Sequence, residues 1–235
     1  MRDKILLVGS GASLINSELG HIIDNFDGKV CRFNMYNTEG YEKDVGSKTD
    51  IWCLNAMIYY QVCFDKYEMD DDNILLYDGL ESFEGDILVA GTRHLMGKYV
   101  ESMEEALTFF ESSKVMDSES LISSFKEIGS LKYCNVCERN HSITPTSGIQ
   151  AILHYAKLGY EVYLVGFDSS NKRLKDNIDS HYYSEHKMNF GQGNSYRSVN
   201  PIYLSGPSHG VGHNMQNESK LINNLEMFNV ITRLD

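Results

Sequence analysis

The sequence is short of proline, of basic charge and of long apolar runs, and each shortage removes a class of protein. With 3 prolines in 235 residues and no low-complexity tract, collagen-like, stalk-like and disordered architectures do not fit. Lysine and arginine total 21 against 33 aspartates and glutamates, a formal charge of -12 that is spread along the chain. No basic stripe interleaves with aromatics, so nucleic acid is not an expected partner. The apolar start Ile5-Leu6-Leu7-Val8 falls far below the ~20 residues of a membrane span and is too short for a signal peptide. A cytoplasmic protein without a transmembrane segment is expected. The five cysteines, at 31, 53, 63, 134 and 137, are odd in number and lack framework spacing, which predicts reduced thiols.

What is present is an ordinary globular composition, 42% apolar and 23% charged. The length suits one sizeable α/β domain over residues 1–235 and is too short for two. Short apolar runs that read as buried parallel strands fall at Lys4 to Val8, Lys29 to Phe33, Asp50 to Leu54, Asn73 to Tyr77, Asp86 to Ala90, Lys132 to Val136 and Glu161 to Val165. Amphipathic stretches at Met103 to Ser113, Ser120 to Ile128, Thr146 to Leu158 and Asn217 to Phe228 carry the helical period. Their alternation predicts a Rossmann-like parallel sheet flanked by helices on both faces. Oligomeric state leaves no mark in the sequence.

Ligands of open α/β sheets bind beyond the carboxyl ends of the strands, and three segments there bear chemistry. Gly9-Ser10-Gly11-Ala12-Ser13 follows the first strand, and its glycines allow positive φ and close backbone approach. A tight turn without ligand accounts for the same residues. A dinucleotide site wants an acidic residue at the end of the second strand; that strand ends Arg32-Phe33-Asn34 instead. Pro145-Thr146-Ser147-Gly148 opens a helix whose free N–H groups and dipole suit an anion, although ordinary capping also explains it. The third stretch runs from His181-Tyr182-Tyr183 to His213 and holds His181, His186, His209 and His213. Imidazole is a natural general base near neutral pH, and composition does not choose among the four.

Taken in order, these segments resemble the four sialylmotifs of the animal-type sialyltransferase family. The large motif is similar to Val8 through Asn55, above all at Asp44-Val45-Gly46-Ser47-Lys48-Thr49. The small motif resembles Pro145-Thr146-Ser147-Gly148 followed by Glu161-Val162-Tyr163-Leu164-Val165-Gly166-Phe167. His181-Tyr182-Tyr183-Ser184 is similar to the third motif, and the His-x4-Glu of the very small motif is matched by His213 and Glu218.

The resemblance implies the sialyltransferase variant of the glycosyltransferase-A fold and an inverting, metal-independent transfer of sialic acid from CMP-sialic acid to a glycan hydroxyl. It implies that Asn34 and Asn55 contact the donor nucleotide and its phosphate region, that Ser10 and Gly11 line the same pocket, and that Thr146, Ser147 and Gly148 hold the CMP. Gly166 and Phe167 would border the ribose, Tyr182 would belong to the donor site, and His181 would assist the leaving phosphate. His213 would be the base and Glu218 would support local structure. No cofactor is implied, the CMP-sugar being a substrate. Leu19 and Gly159 stand where the family has a disulfide, which suits a cytosolic protein of bacterial or viral type. Ser10 replaces the family's asparagine, and the long interval between His181 and His213 keeps His186 and His209 open as alternative bases.

Other features compete. Cys134-x2-Cys137 with His141 offers three zinc ligands but no fourth, and Asp70-Asp71-Asp72 contains the Asp-x-Asp of metal-dependent transferases within a run that reads as a solvated loop. Gly210 and Gly212 disfavour the helix that would align His209 with His213. Two rival functions are a transferase using another CMP-activated sugar such as CMP-Kdo and a non-catalytic nucleotide-binding module.

Overall fold

Five of the apolar runs become strands, and both faces of the sheet they form are buried. In the computed structural model, which describes residues 2–56, 58–59, 63, 78–90, 113–116, 146–168 and 215–234, β1 is Lys4–Val8. A strand's side chains alternate between faces: Ile5 and Leu7 join one apolar cluster, Leu6 and Val8 the other. All four are buried, as a sheet covered on both sides requires.

The elements continue as α1 (Gly20–Asp24), β2 (Lys29–Phe33), α2 (Glu42–Val45), β3 (Ile51–Asn55), β4 (Asp86–Ala90), β5 (Ser113–Val115), α3 (Ser147–Lys157), β6 (Glu161–Val165), α4 (Met215–Met227) and β7 (Ile231–Arg233). The described strands form one seven-stranded sheet in the order β5-β4-β3-β2-β1-β6-β7, and all six pairings are parallel. Ile149, Ile152 and Tyr155 of α3 and Leu221, Ile222 and Leu225 of α4 cover one face. Leu14, Ile23 and Val45 cover the other around Val30 and Val165.

The expected strands at Lys4, Lys29, Asp86 and Glu161 have the bounds that the sequence predicts. The third strand is shifted by one residue, so that Asn55 is its last member. Ser113, the expected end of a helix, instead begins β5; a three-residue strand offers no period to read, and β7 escaped notice for the same reason. The remainder of that helix, the expected strands at Asn73 and Lys132 and the expected helix at Ser120 lie outside the described residues. Among the described residues the free cysteines are Cys31, Cys53 and Cys63, all buried. Burial raises the Cys53 thiol well above its ordinary value and pushes Cys63 up to about 11, so both resist forming the reactive thiolate. No helix among the described residues is long and apolar enough to cross a membrane.

Candidate functional site

Strand order reverses between β1 and β6, since β2 to β5 lie to one side of β1 and β6 and β7 to the other. A crevice opens at such a switch point, beyond the carboxyl ends of the strands. Here it is framed by the turn after β1 and the turn after β6. Because α3 is followed closely by β6, the helix runs back along the sheet and its N-terminus arrives at the same edge. The end of β2 and the end of β3 complete the rim.

The two central turns are zipped together. Gly9 donates its N–H to the Val165 carbonyl at 2.9 Å, and Gly11 donates to the Gly166 carbonyl at 2.9 Å. A Cβ on Gly9 would lie 2.4 Å from the Gly166 oxygen, and one on Gly11 would lie 2.6 Å from Cγ of Asp168. The glycines read from sequence as room for a ligand are therefore required first by the neighbouring turn. Gly166 has φ +69, and a Cβ there would lie 2.6 Å from Cδ1 of Leu14. Asp168 closes the arrangement by accepting from the Ser13 N–H at 3.0 Å through Oδ2 and from the Ser13 hydroxyl through Oδ1.

Phe167 fills the next layer. Its ring meets Phe33 edge to face at a centroid distance of 5.9 Å, and a Cβ on Gly148 would stand 2.7 Å from its Cε1. One side chain thus joins β2, the β6 turn and the start of α3. Expected as a border of the ribose, Phe167 is also the packing core under the crevice.

Asn34 and Asn55 come together with their polarity fixed. Asn34 adopts φ 49, a left-handed conformation that asparagine tolerates. Its Oδ1 accepts the Asn55 N–H at 2.9 Å, and Asn55 Oδ1 accepts the Ile58 N–H at 2.8 Å. A backbone N–H only donates, so the atoms facing it are the amide oxygens. Each side chain keeps its NH2 as a donor, and among the described residues neither NH2 has a hydrogen-bond partner. The single tryptophan of the chain steadies this corner, its indole N–H reaching the Asn34 carbonyl at 2.6 Å.

At the mouth of α3, Thr146 is the N-cap and its side chain accepts from the Ile149 N–H at 3.4 Å. Glu218, in the first turn of α4, takes both donors of the same residue: Thr146 N–H to Oε1 at 2.9 Å and Thr146 hydroxyl to Oε2 at 2.8 Å. Glu218 is 3% exposed, so its two oxygens are spent on this clamp in a place where unmatched charge is costly. Ser147 is buried beside it.

The structure thus gathers Ser10, Gly11, Asn34, Asn55, Thr146, Ser147, Gly148, Gly166 and Phe167 at one edge of the sheet. His181, Tyr182, His186, His209 and His213 lie outside the described residues, as do Cys134, Cys137, His141 and Asp70-Asp71-Asp72. Among the described residues no group of three or more His, Cys, Asp or Glu side chains stands close enough to hold a metal. Asp168 was not singled out from the sequence. The available signal was an acidic residue just past a strand's carboxyl end.

The motif that most specifically carries the resemblance, Asp44 to Thr49, serves as scaffold. Asp44 accepts from the Asn16 and Glu18 N–H groups at 3.0 Å each. Asp24 Oδ1 accepts from Ser47 and Lys48 at 2.7 Å each. Arg32, 1% exposed, donates to the Val45 carbonyl at 2.6 Å and through Nε to Lys48 O at 3.2 Å and Thr49 Oγ1 at 3.0 Å.

The sequence pattern of glycosyltransferase family 29 (sialyltransferase) matches residues 4–230. The chain belongs to this family. It is 50% identical over 58 residues to beta-galactoside alpha-2,6-sialyltransferase 2 of Homo sapiens, a match covering 25% of this chain and 11% of that protein. It is 27% identical over 204 residues to type 2 lactosamine alpha-2,3-sialyltransferase of Pan troglodytes, covering 83% of this chain and 58% of that protein. In both cases the chain spans less than two thirds of its relative. The sialyltransferase CST-II, solved in complex with a trisaccharide acceptor and CMP, superposes with a TM-score of 0.53 at 18% identity, over 99% of this chain and 81% of that one. The family 29 chain therefore shares its fold with solved sialyltransferases.

Proposed function

We propose that this chain transfers a sialic acid from CMP-sialic acid to a glycan hydroxyl, with inversion, without a metal ion and with His213 as general base. The observation that carries the reading is that Asn34 and Asn55, at the carboxyl ends of adjacent strands of a family 29 chain, spend their amide oxygens on backbone N–H groups while, among the described residues, their NH2 groups have no partner. Donors with no acceptor among the described residues suit the phosphate and carboxylate of such a substrate. Thr146, Ser147 and Gly148 hold the CMP, Ser10 and Gly11 line its pocket, Gly166 and Phe167 border the ribose, and Tyr182 joins the donor site. The solved CST-II complex with CMP and a trisaccharide acceptor supports carrying both substrate classes over.

In the reaction the bond between the anomeric carbon and the phosphate oxygen breaks as the acceptor oxygen attacks from the opposite face. His213 takes the acceptor proton, and His181 assists the departing phosphate. CMP leaves as a monoester of modest charge, which N–H dipoles and an imidazole can stabilise where a diphosphate would recruit a divalent ion. The Leu19 and Gly159 replacements at the family's disulfide positions support a reducing, cytosolic setting.

A CMP-release assay over a panel of acceptor glycans tests the reading, run with CMP-sialic acid and CMP-Kdo and with and without EDTA. Release from CMP-sialic acid that EDTA leaves unchanged is expected. Loss of activity in His186→Ala with transfer intact in His213→Ala would move the base. Asn34→Asp keeps the left-handed turn and the acceptor for Asn55 but replaces the NH2 with a carboxylate. Its donor KM is expected to rise by about tenfold or more, the worth of a lost hydrogen bond to a charged group, while the fold survives. An unchanged donor KM would remove Asn34 from the site.

A further inference from the structure

We infer that Asp168 is a positioning residue that pre-orders the β1 turn for the proposed donor site by latching it onto the β6 turn. The inference rests on the proposed CMP-sugar site. It deepens that reading by adding a residue to which neither the sialylmotifs nor the spacing assigned a role.

The latch joins positions 155 residues apart in the chain. Both donors of Ser13 are spent on the two oxygens of Asp168, the N–H on Oδ2 and the hydroxyl on Oδ1. The space where a side chain at residue 11 would sit is filled by the same carboxylate, since a Cβ on Gly11 would stand 2.6 Å from Cγ and 2.7 Å from Oδ1 of Asp168. Ser13 N–H belongs to the short 3-10 turn Ala12–Leu14, whose N-cap Gly11 supplies no side-chain cap. Asp168 thus caps that turn from across the switch point.

The consequences reach the pocket through rigid connections. Ser10 and Gly11 lie between the end of β1, whose ladder with β6 fixes Gly9, and Ser13, which Asp168 fixes. With both ends held, the intervening backbone has one shape before the donor arrives. Released at Ser13, the turn would keep the Gly9 and Gly11 bonds to the β6 turn but lose the hold on its far end, and would have to be ordered by the ligand. The cost would fall on donor binding, and turnover of the bound donor would be spared.

Three variants of the full chain test this, with CMP as the binding probe, donor and acceptor KM, kcat and thermal midpoint as readouts. Asp168→Ala is expected to weaken CMP binding and raise donor KM by about tenfold, with kcat at saturating donor and acceptor KM within about twofold. Asp168→Asn still accepts the Ser13 N–H through its oxygen and can donate to the Ser13 hydroxyl, so it should stay within about threefold of wild type. Ser13→Ala removes one of the two bonds at an exposed position and should fall between them, which keeps the test decisive if Asp168→Ala does not fold. Wild-type CMP binding with no change in Asp168→Ala or Ser13→Ala overturns the latch and leaves the transferase reading standing. Asp168→Asn as damaging as Asp168→Ala at equal thermal midpoint also overturns it, because the charge itself would then be used. A wild-type chain that binds no CMP overturns the site and the latch together.

Discussion

Beside β1 to β3, carboxylates hold chain to chain: Asp24 takes the N–H groups of Ser47 and Lys48, Asp44 those of Asn16 and Glu18. At the switch point two further carboxylates do the same, Asp168 on Ser13 and Glu218 on Thr146. The chemistry is identical, but its surroundings differ. Around Arg32 the donors and acceptors close on one another, whereas Asp168 and Glu218 hold segments at the carboxyl edge of the sheet, where the NH2 groups of Asn34 and Asn55 have no partner among the described residues. A motif's specificity in sequence is therefore no measure of its distance from the chemistry. In the Asp44 to Thr49 hexapeptide nearly every position has a fixed partner.

Breaking the scaffold side should have the largest effect on stability. Arg32→Met strands the buried Val45 carbonyl and the half-buried Lys48 carbonyl, and a loss of about 3 kcal/mol is expected in urea unfolding; the folded fraction should retain its donor KM. Glu218→Ala leaves the Thr146 N–H and hydroxyl without their acceptor and should cost about 2 kcal/mol. Unlike Arg32→Met, it should also raise donor KM severalfold, and Glu218→Gln should recover most of both. Two glycines sharpen the contrast. Gly166→Ala meets both a positive φ and Leu14 at 2.6 Å, with an expected cost of about 2 kcal/mol. Gly40→Ala has φ +79 and nothing within 4 Å, so strain alone remains, about 1 kcal/mol. The smallest effect belongs to the exposed Lys43–Glu18 pair, 2.6 Å apart with side chains 75% and 67% exposed. Its hydrogen bond with Glu18 raises the Lys43 pKa, yet solvent screens the pair, and Lys43→Ala should leave the unfolding midpoint unmoved.

The central sheet was legible because its strands are buried on both faces and read as unbroken apolar runs. Thr146 to Leu158 was legible for a related reason: the N-cap threonine and the apolar period are both local. The candidate rim residues could be named one by one, since each follows a strand or opens a helix. Their roles rested on resemblance. Asp168 carries no local signal, since its partner Ser13 lies 155 residues away, and the short β5 and β7 are too brief for a period.

By itself, then, the sequence determined the alternation of strands and helices, the parallel sheet that follows from it, and the family whose motifs it carries. Tertiary structure alone decided which turns meet. It set Gly11 against Asp168, Gly148 against Phe167 and Thr146 against Glu218, and so changed the meaning of the glycines from room for a ligand to room for a neighbour. The physical reason is that burial leaves a periodic trace along the chain, because every residue of a strand or helix responds to the same interface. A hydrogen bond between distant turns leaves a serine and an aspartate, each ordinary where it stands.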